Sequence, residues 1–129
     1  MTQDELVPPI QVLVVDDQDL FRSVLRDLVA SADGMVLGGE AGSGEEALEL
    51  ADQLAPQLVL MDVRMPGMGG IEATRQLVAA HPDTVVLLVS ADGADAEGLH
   101  DCGAAAFLPK QRLSRQVLVD AWREHAPPA

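Results

Sequence analysis

The chain has 129 residues, 48% of them hydrophobic, which suffices for one domain with a core of its own. Its formal net charge of −13 argues against binding DNA or RNA unaided, since phosphate contacts need Lys and Arg. No apolar run approaches the roughly 18 residues of a membrane span, so no membrane association is predicted. The opening stretch MTQDELVPPI has no basic start and no apolar core, and predicts no signal peptide. A single cysteine, Cys102, cannot form an internal disulfide, as expected in a reducing cytoplasm. Only His100 stands near it at ligand-like spacing, and Cys102 is read as a packed thiol. Of the eight basic residues seven are Arg, and Lys110 is the only lysine.

Residues 1–9 are predicted to be a flexible lead-in. Ile10 to Val15 is a short, β-branched apolar strand that stops at Asp16-Asp17. From Asp19 to about Ser31, Leu20, Phe21, Val24, Leu25, Leu28 and Val29 recur at the spacing of one helix face. Asp33-Gly34 turns the chain into a second strand, Met35 to about Glu40. Ser43-Gly44-Glu45-Glu46 has the form of a capping box. The helix it opens carries Ala47, Leu50, Ala51 and Leu54 inward and ends at Pro56. Leu58 to Met61 is the pattern of a strand buried on both faces, and it stops abruptly at Asp62.

After a loop from Pro66 to Gly70, a third helix runs from about Gly70 to Ala80 and buries Ile71, Thr74, Leu77 and Val78. Thr84 to Val89 is another continuous apolar strand, ending at Ser90-Ala91. Asp92 to Gly103 is a weak fourth helix, since Gly93 and Gly98 each cost about 1 kcal/mol against Ala. Ala104 to Leu108 is a fifth strand, followed by Pro109 and Lys110. The last helix, roughly Arg112 to His125, turns Leu113, Val117, Leu118 and Ala121 inward. Residues 126–129 resemble a linker or a truncated tail, which leaves 10–125 as the domain.

Apolar strands alternating with helices predict an α/β fold: a doubly wound, five-stranded parallel sheet with five helices on its two faces. The expected order is 2-1-3-4-5, the flavodoxin-like arrangement, whose ligand crevice lies at the C-terminal strand ends. Asp16, Asp17, Asp62, Ser90 and Lys110 all stand at or just past such ends. Residues far apart in sequence are thereby predicted to meet in one pocket.

Taken singly, each has an ordinary reading. An Asp-Asp pair after a strand is commonly a helix cap, Ser90 a turn residue, Lys110 a surface cation and Phe107 a core aromatic. Together the three carboxylates would repel one another and raise their own pKa values unless a cation were present. Mg²⁺ suits the set, because it takes one or two carboxylates and keeps room for water and phosphate oxygens. The expected ligands are Asp17 and Asp62 directly, Asp16 through water, and the backbone carbonyl of Arg64. Beside that ion an Asp62 oxygen can attack phosphorus and form an acyl phosphate. Lys110, a compact charge on a flexible stem, is expected to neutralise a phosphoryl oxygen, and Ser90 to hydrogen-bond one.

This set resembles the receiver domain of two-component response regulators: Asp16-Asp17 after VLVV, Asp62 in LVLMDVRMPGMGG, Ser90-Ala91, and FLPK ending at Lys110. The GEAGSGEEALEL and DVRMPGMGGIEATRQL stretches are most similar to receivers joined to a C-terminal helix-turn-helix output domain. The resemblance implies that Asp62 takes phosphate from a sensor histidine kinase and that Asp16 and Asp17 hold Mg²⁺. It also implies that Ser90, Phe107 and Lys110 couple this event to a surface change. One departure is that Pro109 precedes Lys110 and Gln111 follows it, so a Lys-Pro bond cannot exist here. The chain is expected to be a fragment cut before its output domain, with a homodimer contact left open. A phosphorylation-independent pseudo-receiver acting as a protein-binding module is the alternative. A phosphohydrolase is disfavoured, because Arg64 stands where a second acid would protonate the leaving group.

Overall fold

The computed structural model describes residues 8–91 and 101–128. Among these, five strands form one parallel sheet in the order β2-β1-β3-β4-β5. The strands are β1 (Ile10–Val15), β2 (Met35–Ala41), β3 (Leu58–Asp62), β4 (Val85–Ser90) and β5 (Ala106–Pro109). Four α-helices connect or follow them: α1 (Asp19–Ser31), α2 (Gly44–Leu54), α3 (Gly69–Ala80) and α4 (Arg115–His125). Of the helix expected over 92–103, residues 92–100 lie outside the described residues, and 101–103 form a turn.

The continuous apolar strands exist because helices cover both faces, so alternate residues enter two separate cores. Val12, Val14, Leu58, Leu60, Leu87 and Val89 meet Leu25 and Val29 of α1 and Leu118 and Ala121 of α4. Leu13, Val15, Val59, Met61, Val86 and Leu88 meet Ala47 and Ala51 of α2 and Ala73 and Leu77 of α3. Every residue of β3 and β4 is buried. Each fully buried Leu or Val there contributes about 1.5–3 kcal/mol relative to exposure, which makes these two strands a rigid base for whatever follows them.

Three expectations need correction. In α1, Leu20 is 82% and Val24 46% exposed, although both belong to the apolar stripe. At about 100° per residue, Leu20 lies roughly 140° and Val24 roughly 100° around the helix from the buried Leu25, too far to reach the sheet. The last helix starts at Arg115 instead of Arg112, because Lys110–Arg112 is a single 3₁₀ turn. Ser114 then caps the helix, its hydroxyl accepting from the Val117 N–H at 3.1 Å. The fifth strand is Ala106–Pro109, two residues later than its predicted start.

The capping box of α2 is present with one exchange of partner. Ser43 Oγ accepts from Glu46 N–H at 3.1 Å, while the Glu46 carboxylate reaches one residue further back, to Gly42 N–H at 2.6 Å.

Candidate functional site

The C-terminal ends of β1 and β3 are adjacent in the sheet, and each delivers acid to the same place. Asp16 and Asp17 follow β1 directly, and Asp62 is the last residue of β3. One carboxylate oxygen from each of the three lies within 4.8 Å of the others. Asp16 is fully buried and Asp62 is 4% exposed, whereas Asp17 opens to solvent.

The turn after β1 holds Asp16 firmly. Asp16 Oδ1 accepts from Gln18 N–H at 2.9 Å, a local bond of the kind that Asp makes in turns. The Arg22 guanidinium donates to the Asp16 carbonyl oxygen at 2.9 Å and to Asp19 Oδ1 at 2.7 Å, and its Nε sits 3.3 Å from Glu40. One side chain thus ties the β1 turn to α1 and to the edge strand β2.

The loop after β3 is shaped by glycine. Gly67 and Gly69 have φ of +78° and +77°, a region that L side chains rarely adopt. Gly70 serves a different need: a Cβ there would fall on the Asp62 carbonyl oxygen, at 1.9 Å. Its N–H donates to the Val63 carbonyl at 3.0 Å, so the start of α3 is drawn directly against the backbone of Asp62.

Lys110 completes the group from the far edge of the sheet. Its Nζ donates to Asp16 Oδ2 at 3.1 Å and lies 3.5 Å from Asp62 Oδ1. The ammonium also stands over the Phe21 ring, 4.0 Å from the centroid. Burial pushes the Asp62 carboxyl from its ordinary 3.8 up to about 6, and the neighbouring charge of Asp16 adds to that rise. Lys110 and the Arg64 backbone N–H, which donates to Asp62, pull the other way without cancelling it. The pocket therefore lacks positive charge. Three hard oxygen donors this close can hold a divalent cation, and that cation would supply what is lacking.

Ser90 ends β4, 2% exposed and one residue beyond Val89, which pairs with Asp62. Phe107 pairs with Leu88, two residues before Ser90, so the two share one face of the sheet. The half-buried Phe107 packs into the core on the α2 and α3 side. Arg64 is exposed, two residues past Asp62. Asp16, Asp17, Asp62, Ser90 and Lys110 thus stand at or just past the C-terminal strand ends, while Phe107 lies two pairs further into the sheet than Ser90. Phe21, Arg22 and Gly70 belong to the site as well. From the sequence alone Phe21 is visible only as part of an apolar stripe and Gly70 only as the end of a loop.

Sheet order, burial and the acidic crevice at the strand switch define a doubly wound α/β domain with its site at the usual lip. The family model of the response regulator receiver domain matches residues 12–123, and the chain belongs to that family. Response regulator GacA of Pseudomonas viridiflava is 48% identical over 103 residues, covering 78% of this chain and 48% of that protein. The transcriptional regulatory protein YxjL of Bacillus subtilis is 38% identical over 120 residues, 91% of this chain and 54% of its own length. The signal receiver domain of the response regulator NarL from Mycobacterium tuberculosis superposes with a TM-score of 0.81 at 33% identity, covering 92% of this chain and 96% of that one. The chain spans about half the length of the curated relatives it matches. Among the described residues no helix is long and apolar enough to cross a membrane.

Proposed function

We propose that this chain is a phospho-accepting receiver in which Asp62 takes a phosphoryl group from the phosphohistidine of a sensor histidine kinase. The observation that carries this reading is the convergence of Asp16, Asp17 and Asp62 within 4.8 Å, with the only lysine of the chain donating into the cluster. In the transfer an Asp62 oxygen forms a bond to phosphorus as the bond from phosphorus to the donor nitrogen breaks. That nitrogen departs with the bonding pair.

Mg²⁺, when bound, neutralises charge on the transferring group and orients its oxygens. Asp17 and Asp62 would ligate it directly, together with the Arg64 carbonyl. Asp16 would act through water, in keeping with its oxygens already accepting from Gln18 and Lys110. Lys110 needs only a short swing to leave Asp16 for an oxygen of phosphorylated Asp62. Ser90 would follow towards the same group. Phe107, on the same face, would then move into the space that Ser90 leaves.

Phosphorylation adds roughly −1.5 to −2 charges to a pocket already rich in acid, by analogy with other phosphorylated side chains. The surface carrying β5 and α4 responds by a shift of population. The readout is an output domain beyond the linker at 126–129, with 10–125 as the receiver unit. A transcriptional output, a cytoplasmic location and homodimerisation on activation complete the reading. Sequence similarity to the transcriptional regulatory protein YxjL supports the first of these. Beyond accepting and slowly losing its own phosphate the domain has no enzymatic role.

Intact mass after incubation with Mg²⁺ and phosphoramidate tests the proposal. One acid-labile phosphate is expected on the wild type, and none on Asp62→Asn or when EDTA is present. A wild type that binds Mg²⁺, is folded and gains nothing would instead be a pseudo-receiver.

A further inference from the structure

Among the described residues the ammonium of Lys110 stands close to two carboxylates and to one group that carries no charge. Asp16 Oδ2 lies at 3.1 Å, Asp62 Oδ1 at 3.5 Å and the centroid of the Phe21 ring at 4.0 Å. Phe21 sits in the first turn of α1, half-buried at the margin of the core on the α1 and α4 side. Two Phe and one Trp are all the aromatic residues of the chain, and one of those three faces its only lysine.

Packing alone would be met by Leu or Val at this position. A ring differs in its negative face, which attracts a cation most strongly where water is excluded. The Lys110 side chain is only 14% exposed.

The two carboxylates that hold the ammonium are also the ones a divalent cation would share. Once that sharing begins, their pull on Lys110 weakens, whereas the attraction of an uncharged ring is unchanged. We propose that Phe21 is a positioning residue for Lys110, holding the ammonium beside Asp62 whatever the charge state of the acids, ready for an incoming phosphoryl oxygen. This rests on Asp62 being the phosphoacceptor. Lys110 contributes a hydrogen bond and a charge. With phosphoramidate as donor, the Asp62 oxygen forms its bond to phosphorus as the phosphorus–nitrogen bond breaks. The nitrogen, already protonated in the zwitterion, leaves as ammonia with the bonding pair.

The single lysine makes the test direct, because ¹³C-lysine labelling gives one ε-CH₂ signal. In the metal-free wild type, that signal is expected upfield of free lysine, shielded by the Phe21 ring. It should stay there in Phe21→Tyr and return to the free-lysine position in Phe21→Leu and Phe21→Met. At saturating Mg²⁺ the rate of phosphorylation by phosphoramidate should fall roughly three- to tenfold in the two ringless variants and be restored in Phe21→Tyr. Affinity for Mg²⁺ should stay within about twofold in all of them, since Phe21 offers no ligand atom. Using two ringless variants guards against one that fails to fold, and well-dispersed amide spectra identify those that do. An unshifted wild-type signal overturns the proposal, and so do folded ringless variants that react at the wild-type rate. A wild type that takes no phosphate overturns the phosphoacceptor reading itself, and this proposal with it.

Discussion

Replacing Asp62 by Asn is expected to stabilise the metal-free protein at neutral pH. The folded carboxyl keeps its proton up to about pH 6, whereas an unfolded one releases it near 3.8. Between these values the folded state binds more protons, so stability falls as pH rises through this window, and the whole penalty is present above it. The interval corresponds to about 3 kcal/mol. Asn keeps the shape and can still accept from Arg64 N–H, and the pull of Lys110 on the charge is already contained in that interval. The net gain expected at pH 7.5 without metal is therefore about 2–3 kcal/mol, a rise in Tm of roughly 7–11 °C for a domain of this size. Thermal or urea unfolding of both proteins over a pH series measures it. The same linkage shrinks the gain to about a third of its neutral value by pH 4.5. Mg²⁺ at about a hundred times its Kd should stabilise the wild type by about 2.7 kcal/mol and Asp62→Asn by much less, which narrows or reverses the difference. An Asn variant less stable than wild type without metal would refute the reasoning, as would a gain that does not change with pH.

Gly70→Ala should destabilise the fold by about 3 kcal/mol or more, since the new methyl meets the Asp62 carbonyl and α3 must retreat. Urea unfolding measures this, and Gly67→Ala, which strains a loop without striking backbone, should cost less. Thr74→Val should raise stability by about 1 kcal/mol, because the Thr74 hydroxyl is fully buried and has no partner among the described residues. A loss on the same assay would mean that the hydroxyl is satisfied in solution. Lys110→Arg should leave Mg²⁺ affinity nearly unchanged in titration calorimetry and slow the conformational response to phosphorylation about tenfold or more, since a planar guanidinium cannot occupy the point held by the ammonium. Equal loss of both would contradict the role given to Lys110.

The central strands and the acidic pocket at their ends were legible in the sequence for one physical reason. A strand buried on both faces must be apolar throughout, so the first polar residue after it marks the lip of the sheet. Asp16, Asp62 and Ser90 each follow such a run. Periodicity was less informative about α1, because it records apolarity and not direction. Leu20 and Val24 satisfy the pattern yet face solvent. For the same reason Phe21 read as core, since nothing in a hydropathy stripe distinguishes a ring under a lysine from a ring under a leucine. The start of α4 was misplaced because Lys110–Arg112 has no breaker within it. Ser114 was its true signal, a cap whose third following position is Val117 and not Glu. Gly70 could not be told from Gly67 or Gly69, because what sets it apart is the carbonyl of a residue eight positions earlier.

Borohydride trapping addresses the central claim most directly. It reduces an aspartyl phosphate to homoserine, so peptide mapping after phosphorylation names the residue that carried the group. The account predicts homoserine at position 62 alone, in the presence of Mg²⁺ and not of EDTA. Phosphate trapped at Asp16 or Asp17, or at no aspartate in a protein that binds Mg²⁺, would contradict it.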